Sequence, residues 1–522
     1  TGSTILSNGV VIIPNANSYQ ALGSGPVVMA GGKLTVWPAG GAESGLPNAI
    51  NVVDDSTLEF TSSGTYACVL TGPLSGTPGK TLNLSPTSSS TSRVRLYRPF
   101  TYDGNLDLGA STLFLAPYHS SGVQVYNGVI SGIGTVLVRC AGGQAILNNP
   151  GNTYSGGTML SQGSIGVGAD SVVSGGSIVS GPLGTGPIVS TTESGTVGSC
   201  TLFASGGART IANPITYDVG ANLTTIILGG SNNLTLTGDM SLNGNDGGVN
   251  ERPINVNNTA LSTLAGVISD GGLAVPLTKT GNGVLVLSGL NTYTGPTHVG
   301  GGTLLVNGQI STGGVIATNG NLGGAGTILG PVTVGADANL VPGNSAIGTL
   351  TINNSLTLAG DVMIEVNKAL AQTSDLVAVN GALNNTGTGT VVVTNLGATA
   401  LVAGDRFQVF NKALTGGAAM AITGAGMVWS NRLALDGSIV VLSAVPTIPT
   451  APTNVVCSVS DGKLTLSWPS GYVGWELQSN SVSVADTTMW YTVPGSAATN
   501  QMILPLDATQ PQVFYRMRYP TP

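Results

Sequence analysis

The sequence predicts an all-β protein: a right-handed parallel β-helix, or β-solenoid, followed by a small antiparallel β-sandwich. Three observations carry this. Short apolar runs alternate with polar residues at period two between Gly/Asn/Thr/Pro turn clusters, the strand signal. One such unit is written twice, as in a repeat architecture. Charged residues make up only 7% of the 522 and Gly reaches 79, so Ser, Thr and Asn stand between Val, Leu and Ile where a helical protein would carry charged helix formers.

Residues 1–130 read as an atypical, capping part of the solenoid. Their strand-like runs are Val10–Ile13, Lys33–Trp37, Ser56–Phe60, Tyr66–Leu70, Arg93–Tyr97 and Thr112–Leu115, with weak repetition, and residues 1–60 are the expected cap. Residues 131–445 carry the clear coils. The motif N-T-Y-[ST]-G-x-T stands at Asn152–Thr158 and at Asn291–Thr297, each followed by a Gly-marked turn and a short apolar strand. Coils of roughly 20–30 residues, stacked at ~4.8 Å, make a rod on the order of 70–105 Å. Five Asn-Asn pairs, beginning at Asn148, Asn232, Asn257, Asn353 and Asn384, suit corners as turn formers and as stacked amides. Lys368–Thr373 reads as a loop or a single helical turn. Residues 446–453 form a stiff linker with Pro446, Pro449 and Pro452 at every third position. Residues 454–522 then hold three of the five tryptophans and alternate as a small immunoglobulin- or fibronectin-like β domain.

The stretch Gly281–Val306, with the looser copy Gly132–Val167, resembles the autotransporter-associated β-strand repeat, also called the passenger-associated transport repeat. Gly181–Val189 and Leu322–Leu442 are similar to other coils of that family, so the resemblance spans about two thirds of the chain. It implies a secreted or cell-surface protein of a Gram-negative bacterium. It leaves activity open, because one fold hosts many functions. A similar aromatic tail recurs in such passengers and implies a sorting or attachment module. A cleaved export signal is expected, and no translocator barrel is read in the sequence.

Net charge is −7, which disfavours nucleic acid and anionic membranes as partners. No apolar run approaches the ~20 residues of a membrane helix. Cys68, Cys140, Cys200 and Cys457 lack C-x-x-C spacing, so no zinc site is expected; one disulfide or buried fillers are the two readings. No metal or other cofactor is expected, although Asn243–Gly248 faintly suggests a calcium turn. His119 and His298 read as strand residues, and no nucleophile elbow is present. The candidate acids for a polysaccharide-cleaving groove are Asp54, Asp55, Glu59, Asp103 and Asp107.

The candidate interaction surface is Arg93, Arg95, Tyr97, Arg98 and Tyr102, with Trp468, Trp475 and Trp490. The tryptophans read either as core or as an outward docking face. The sequence therefore predicts a non-enzymatic structural subunit of an extracellular fibre, sheath or surface layer. Its partner is itself, head to tail, through the solenoid ends and the C-terminal domain. The alternatives are an adhesin binding extracellular glycan and, behind it, a polysaccharide lyase or hydrolase.

Overall fold

The computed structural model describes residues 2–14, 21–37, 45–60, 68–87, 93–115, 122–191, 198–217, 225–243, 251–343, 345–445, 449–507 and 509–519. They form two compact units. The first is Thr1–Ala425 with Trp429–Val441; the second is Gly426–Val428 with Leu442–Pro522.

The first unit is a parallel β-solenoid. Thr4–Leu6 pairs in parallel with Val27–Ala30, which pairs with Ile50–Asp54 and then with Leu74–Gly76. The coils are therefore regular from Thr4 onward, where a cap was expected. Pairing also crosses residue 130 without a break, as Thr112–Leu115 lies beside Thr135–Val138. Successive turns are linked by bonds that skip 18 residues at Asn291–Gln309 and 30 at Asn152–Pro182. Corner length varies while strand register holds. One interior file runs Val94, Leu113, Val136, Thr158, Ile188, Ile215, Met240 and Ile268, each 3% exposed or less. No coil closes this core alone; stacking does.

The repeated motif explains its own recurrence. Asn152 and Asn291 are fully buried. Each accepts from a neighbouring coil, Ile130 N at 2.8 Å and Ile268 N at 3.0 Å. Each donates to a coil on the other side, Pro182 O and Gln309 O, both at 3.0 Å. Tyr154 and Tyr293 are fully buried and share a proton with the motif's last residue, Thr158 at 2.6 Å and Thr297 at 2.5 Å. The motif thus ties coils through backbone groups that would otherwise be orphaned. Asn ladders run along corners: Asn148 donates to Asn127, which donates to Asp103, and Asn339 donates to Asn321, which donates to Thr303.

Some strands run longer than the sequence reading. Thr135–Leu147, Thr158–Val167, Val315–Gly324 and Val332–Pro342 continue around corners. Arg139 and Cys140 sit at one such bend, where the register shifts. Val172–Ser174 and Ser177–Ser180 form an antiparallel hairpin with no partner strand in the coil sheets. Lys368–Thr373 is a turn closed by Asn367 N donating to Thr373 O. The parallel ladder stops where Thr390–Asn395 pairs with Ala421–Gly424. There Arg406–Gln408 pairs antiparallel with Ser438–Val440, and Phe407, Phe410, Leu414, Leu433 and Ile439 fill the end.

The second unit is an antiparallel sandwich. One sheet holds Val456–Ser460, Lys463–Ser467 and Gln501–Pro505; the other holds Tyr491–Thr492, Glu476–Asn480 and Phe514–Arg518. Asp461 and Gly462, at φ 50° and 71°, make the two-residue hairpin turn that favours Asp-Gly. Leu466, Trp468 and Leu477 form its core. Among the described residues no helix is long and apolar enough to cross a membrane.

Candidate functional site

Arg93–Leu96 lies between Cys68–Leu70 and Thr112–Leu115. Period two sends Val94 and Leu96 inward and the arginines outward. Their guanidinium carbons sit 5.2 and 4.8 Å from the centre of the buried Phe114 ring. Arg95 Nη1 donates to the Tyr97 hydroxyl at 3.3 Å. Arg98 is exposed and donates to Thr71 O at 3.0 Å. Tyr97 and Tyr102 are corrections to the surface reading. Tyr97 is 7% exposed against Val69, and Tyr102 is 1% exposed with its hydroxyl on Asn105 O. Their large rings fill space over small neighbours; the Tyr102 ring would be 2.5 Å from a Cβ at Gly76.

Each candidate acid is engaged in local bonds. Glu59 accepts from Lys33 Nζ at 2.8 Å and Thr35 Oγ1 at 2.9 Å, and these two bonds hold its carboxyl below the usual range. Asp54 pairs with Lys80 at 2.5 Å, and Asp55 accepts from Thr81 N. Asp103 ends an amide ladder, and Asp107 closes a turn on Gly109 N. His298 is half-buried between Thr278 and Ile316. His119 lies outside the described residues, as does the suggested calcium turn from Gly244 on. Among the described residues no cluster of three metal-ligating side chains occurs.

All four cysteines are free: Cys68, Cys140 and Cys200 are buried and Cys457 is exposed. Four buried ionisable groups escaped the sequence reading, the first being Arg252, whose Nε donates to Leu242 O at 2.9 Å. Lys279 is 1% exposed, and its ammonium donates to Gly281 O and Gly301 O at 2.8 Å; burial lowers it to about 8. Burial alone would raise Asp270, but bonds from Thr294, Gly272 and Val275 bring its carboxyl below the usual value. Asp375 is fully buried and accepts from Gly348 N and Glu365 N. Each caps backbone groups at a corner, so composition gave no signal for them.

In the C-terminal unit Trp468 and Trp475 are 3% and 4% exposed, so they are core and not an outward face. Trp490 is half-buried, with the Arg516 guanidinium 4.2 Å from its ring. This unit also exposes several aliphatic side chains. Val459 lies on the core-facing side of its sheet, opposite Leu464, yet is 63% exposed. Near Leu464 the two sheets part into an open groove of about 630 Å³, lined among others by Leu504, Leu506, Tyr491, Val513 and Tyr515.

The fold defines a parallel β-solenoid followed by a separate antiparallel β-sandwich unit. The passenger-associated-transport-repeat family matches residues 142–167 and 277–306. The chain thus carries two repeats of the kind found in autotransporter passengers, which are secreted or cell-surface proteins of Gram-negative bacteria. It is 36% identical over 111 residues to an extracellular serine protease of Serratia marcescens. That stretch is 21% of this chain and 10% of the protease, so the chain matches about a tenth of that relative's length. The Haemophilus influenzae Hap adhesin structure aligns over 84% of this chain and 63% of its own, at 11% identity and a TM-score of 0.23, too low to carry an argument.

Proposed function

We propose that this passenger is non-catalytic and structural, a subunit of an extracellular fibre, sheath or surface layer that self-associates through its C-terminal unit and its solenoid ends. The observation that carries the reading is the uncovered core-facing side of the C-terminal sandwich. Val459, Leu506 and Tyr491 are 63%, 50% and 61% exposed beside the open groove. Exposed apolar surface of this kind marks protein contact sites. Protease activity belongs to the Serratia relative and is not assigned to this chain.

The test is negative-stain electron microscopy of the purified chain at high concentration, beside Val459→Lys/Leu506→Lys. Filaments with a regular axial repeat, lost in the variant, support the reading; isolated rods from both proteins refute it. An adhesive passenger is the second reading. The hairpin favours it, because Val172, Val173 and Val179 are 44%, 51% and 46% exposed on it. Glycan-array binding by isolated rods would decide for that reading.

A further inference from the structure

We propose that Tyr472, Trp475 and Tyr519 form a binding cleft for proline-rich extended segments. Pro449 of the chain's own Pro-rich linker is held there, and the same linker from a second copy is its exchange partner. The indole N–H of Trp475 donates to Pro449 O at 2.8 Å. The Tyr472 ring lies 5.6 Å from the Trp475 ring, tilted by 59°, and the Tyr519 ring lies 5.5 Å away, edge-on at 77°. Three aromatic rings thus gather where one linker carbonyl is held.

The linker matches such a cleft in sequence. A polyproline II helix has three residues per turn, so Pro446, Pro449 and Pro452 fall along one edge of it. Segments of that kind are already extended and lose little entropy on docking, and aromatic-lined grooves are what bind them. Burying an indole does not by itself demand the linker. Trp468, equally buried in the same unit, leaves its N–H without a partner. The cleft has an open side, since Tyr519 is 39% exposed and Tyr472 is half-buried. A bound segment can leave by that side and be replaced.

A second copy carries the identical linker, so exchange would join chains by the same bond, as in domain swapping. The tethered linker competes at millimolar effective concentration, so exchange is favoured in concentrated protein. The inference does not rest on filament formation; the cleft binds the linker whether or not the chain forms fibres.

The test uses the full chain with Pro446→Ala, Pro449→Ala and Pro452→Ala, which weakens the resident segment. The probe is a peptide of the linker sequence, AVPTIPTAPT, followed by tryptophan fluorescence and calorimetry. The triple variant should bind it saturably, at least about tenfold more tightly than the unmodified chain with its tethered competitor. The peptide AVATIATAAT should bind neither. Adding Trp475→Phe keeps an aromatic ring, removes the donor and should weaken binding about fivefold. The proposal is overturned if the triple variant, with unchanged circular dichroism and melting, fails to bind. It is equally overturned if the alanine peptide binds as well as the proline one.

Discussion

At the scale of the residue, fold and chemistry meet in buried polar groups. Asn291→Ala would orphan Ile268 N, now bonded at 3.0 Å to the side chain, and leave Gln309 O only the Asn291 backbone N–H, and should cost about 2 kcal/mol in a denaturant melt. Asp375 sets a pH dependence. Burial, with the neighbouring Glu365 charge adding, outweighs the bonds from Gly348 N and Glu365 N and raises its carboxyl from 3.8 to about 7. Between those values the folded chain keeps a proton that the unfolded chain has released. Stability therefore falls as pH rises through that window, and melting between pH 4 and 8 should show it; Asp375→Asn should flatten the slope. Burial pushes the Cys68 and Cys140 thiols up to about 12, whereas Cys457 is exposed. A thiol reagent should find one reactive cysteine in the native chain and all four after unfolding.

At the scale of the element, coils differ from hairpins in how tightly they stack. Gly163 has φ 96°, and a Cβ there would lie 2.1 Å from Cys140 O in the coil below. Gly176, at the hairpin tip, has φ 81° with nothing within 4 Å. Gly163→Ala should cost about 3 kcal/mol, from steric overlap added to backbone strain, and Gly176→Ala about 1 kcal/mol, from backbone strain alone. Paired thermal melts would separate the two terms, and equal shifts would refute the stacking account. The strands themselves were legible: Ser56–Phe60, Thr112–Leu115, Val284–Leu287 and Thr303–Val306 match their apolar runs residue for residue. The bent strand Thr135–Leu147 was not, because a chain that keeps pairing around a corner loses period two at the bend.

At the scale of the whole molecule, association has little charge to draw on. Net charge is −7 over 522 residues, and the C-terminal unit exposes aliphatic side chains such as Val456, Val459, Ile503 and Leu506. Assembly should therefore strengthen in sulfate and persist in molar sodium chloride. Light scattering across a salt series checks this; dissolution by sodium chloride would point to ion pairs instead.

By itself the sequence determined the class of fold, the repeat and its strands, because alternation, turn residues and self-similarity are local properties. It also located the composition change that separates the C-terminal unit. Tertiary structure decided which polar residues are buried, and so which surface is available. Tyr97 and Tyr102 looked like contact residues by type and Trp468 could be read either way, but packing across coils and between sheets consumes all three. Val459 lies on the core-facing side of its sheet and is nonetheless open. Burial depends on what another part of the chain places opposite a side chain, and no local pattern records that.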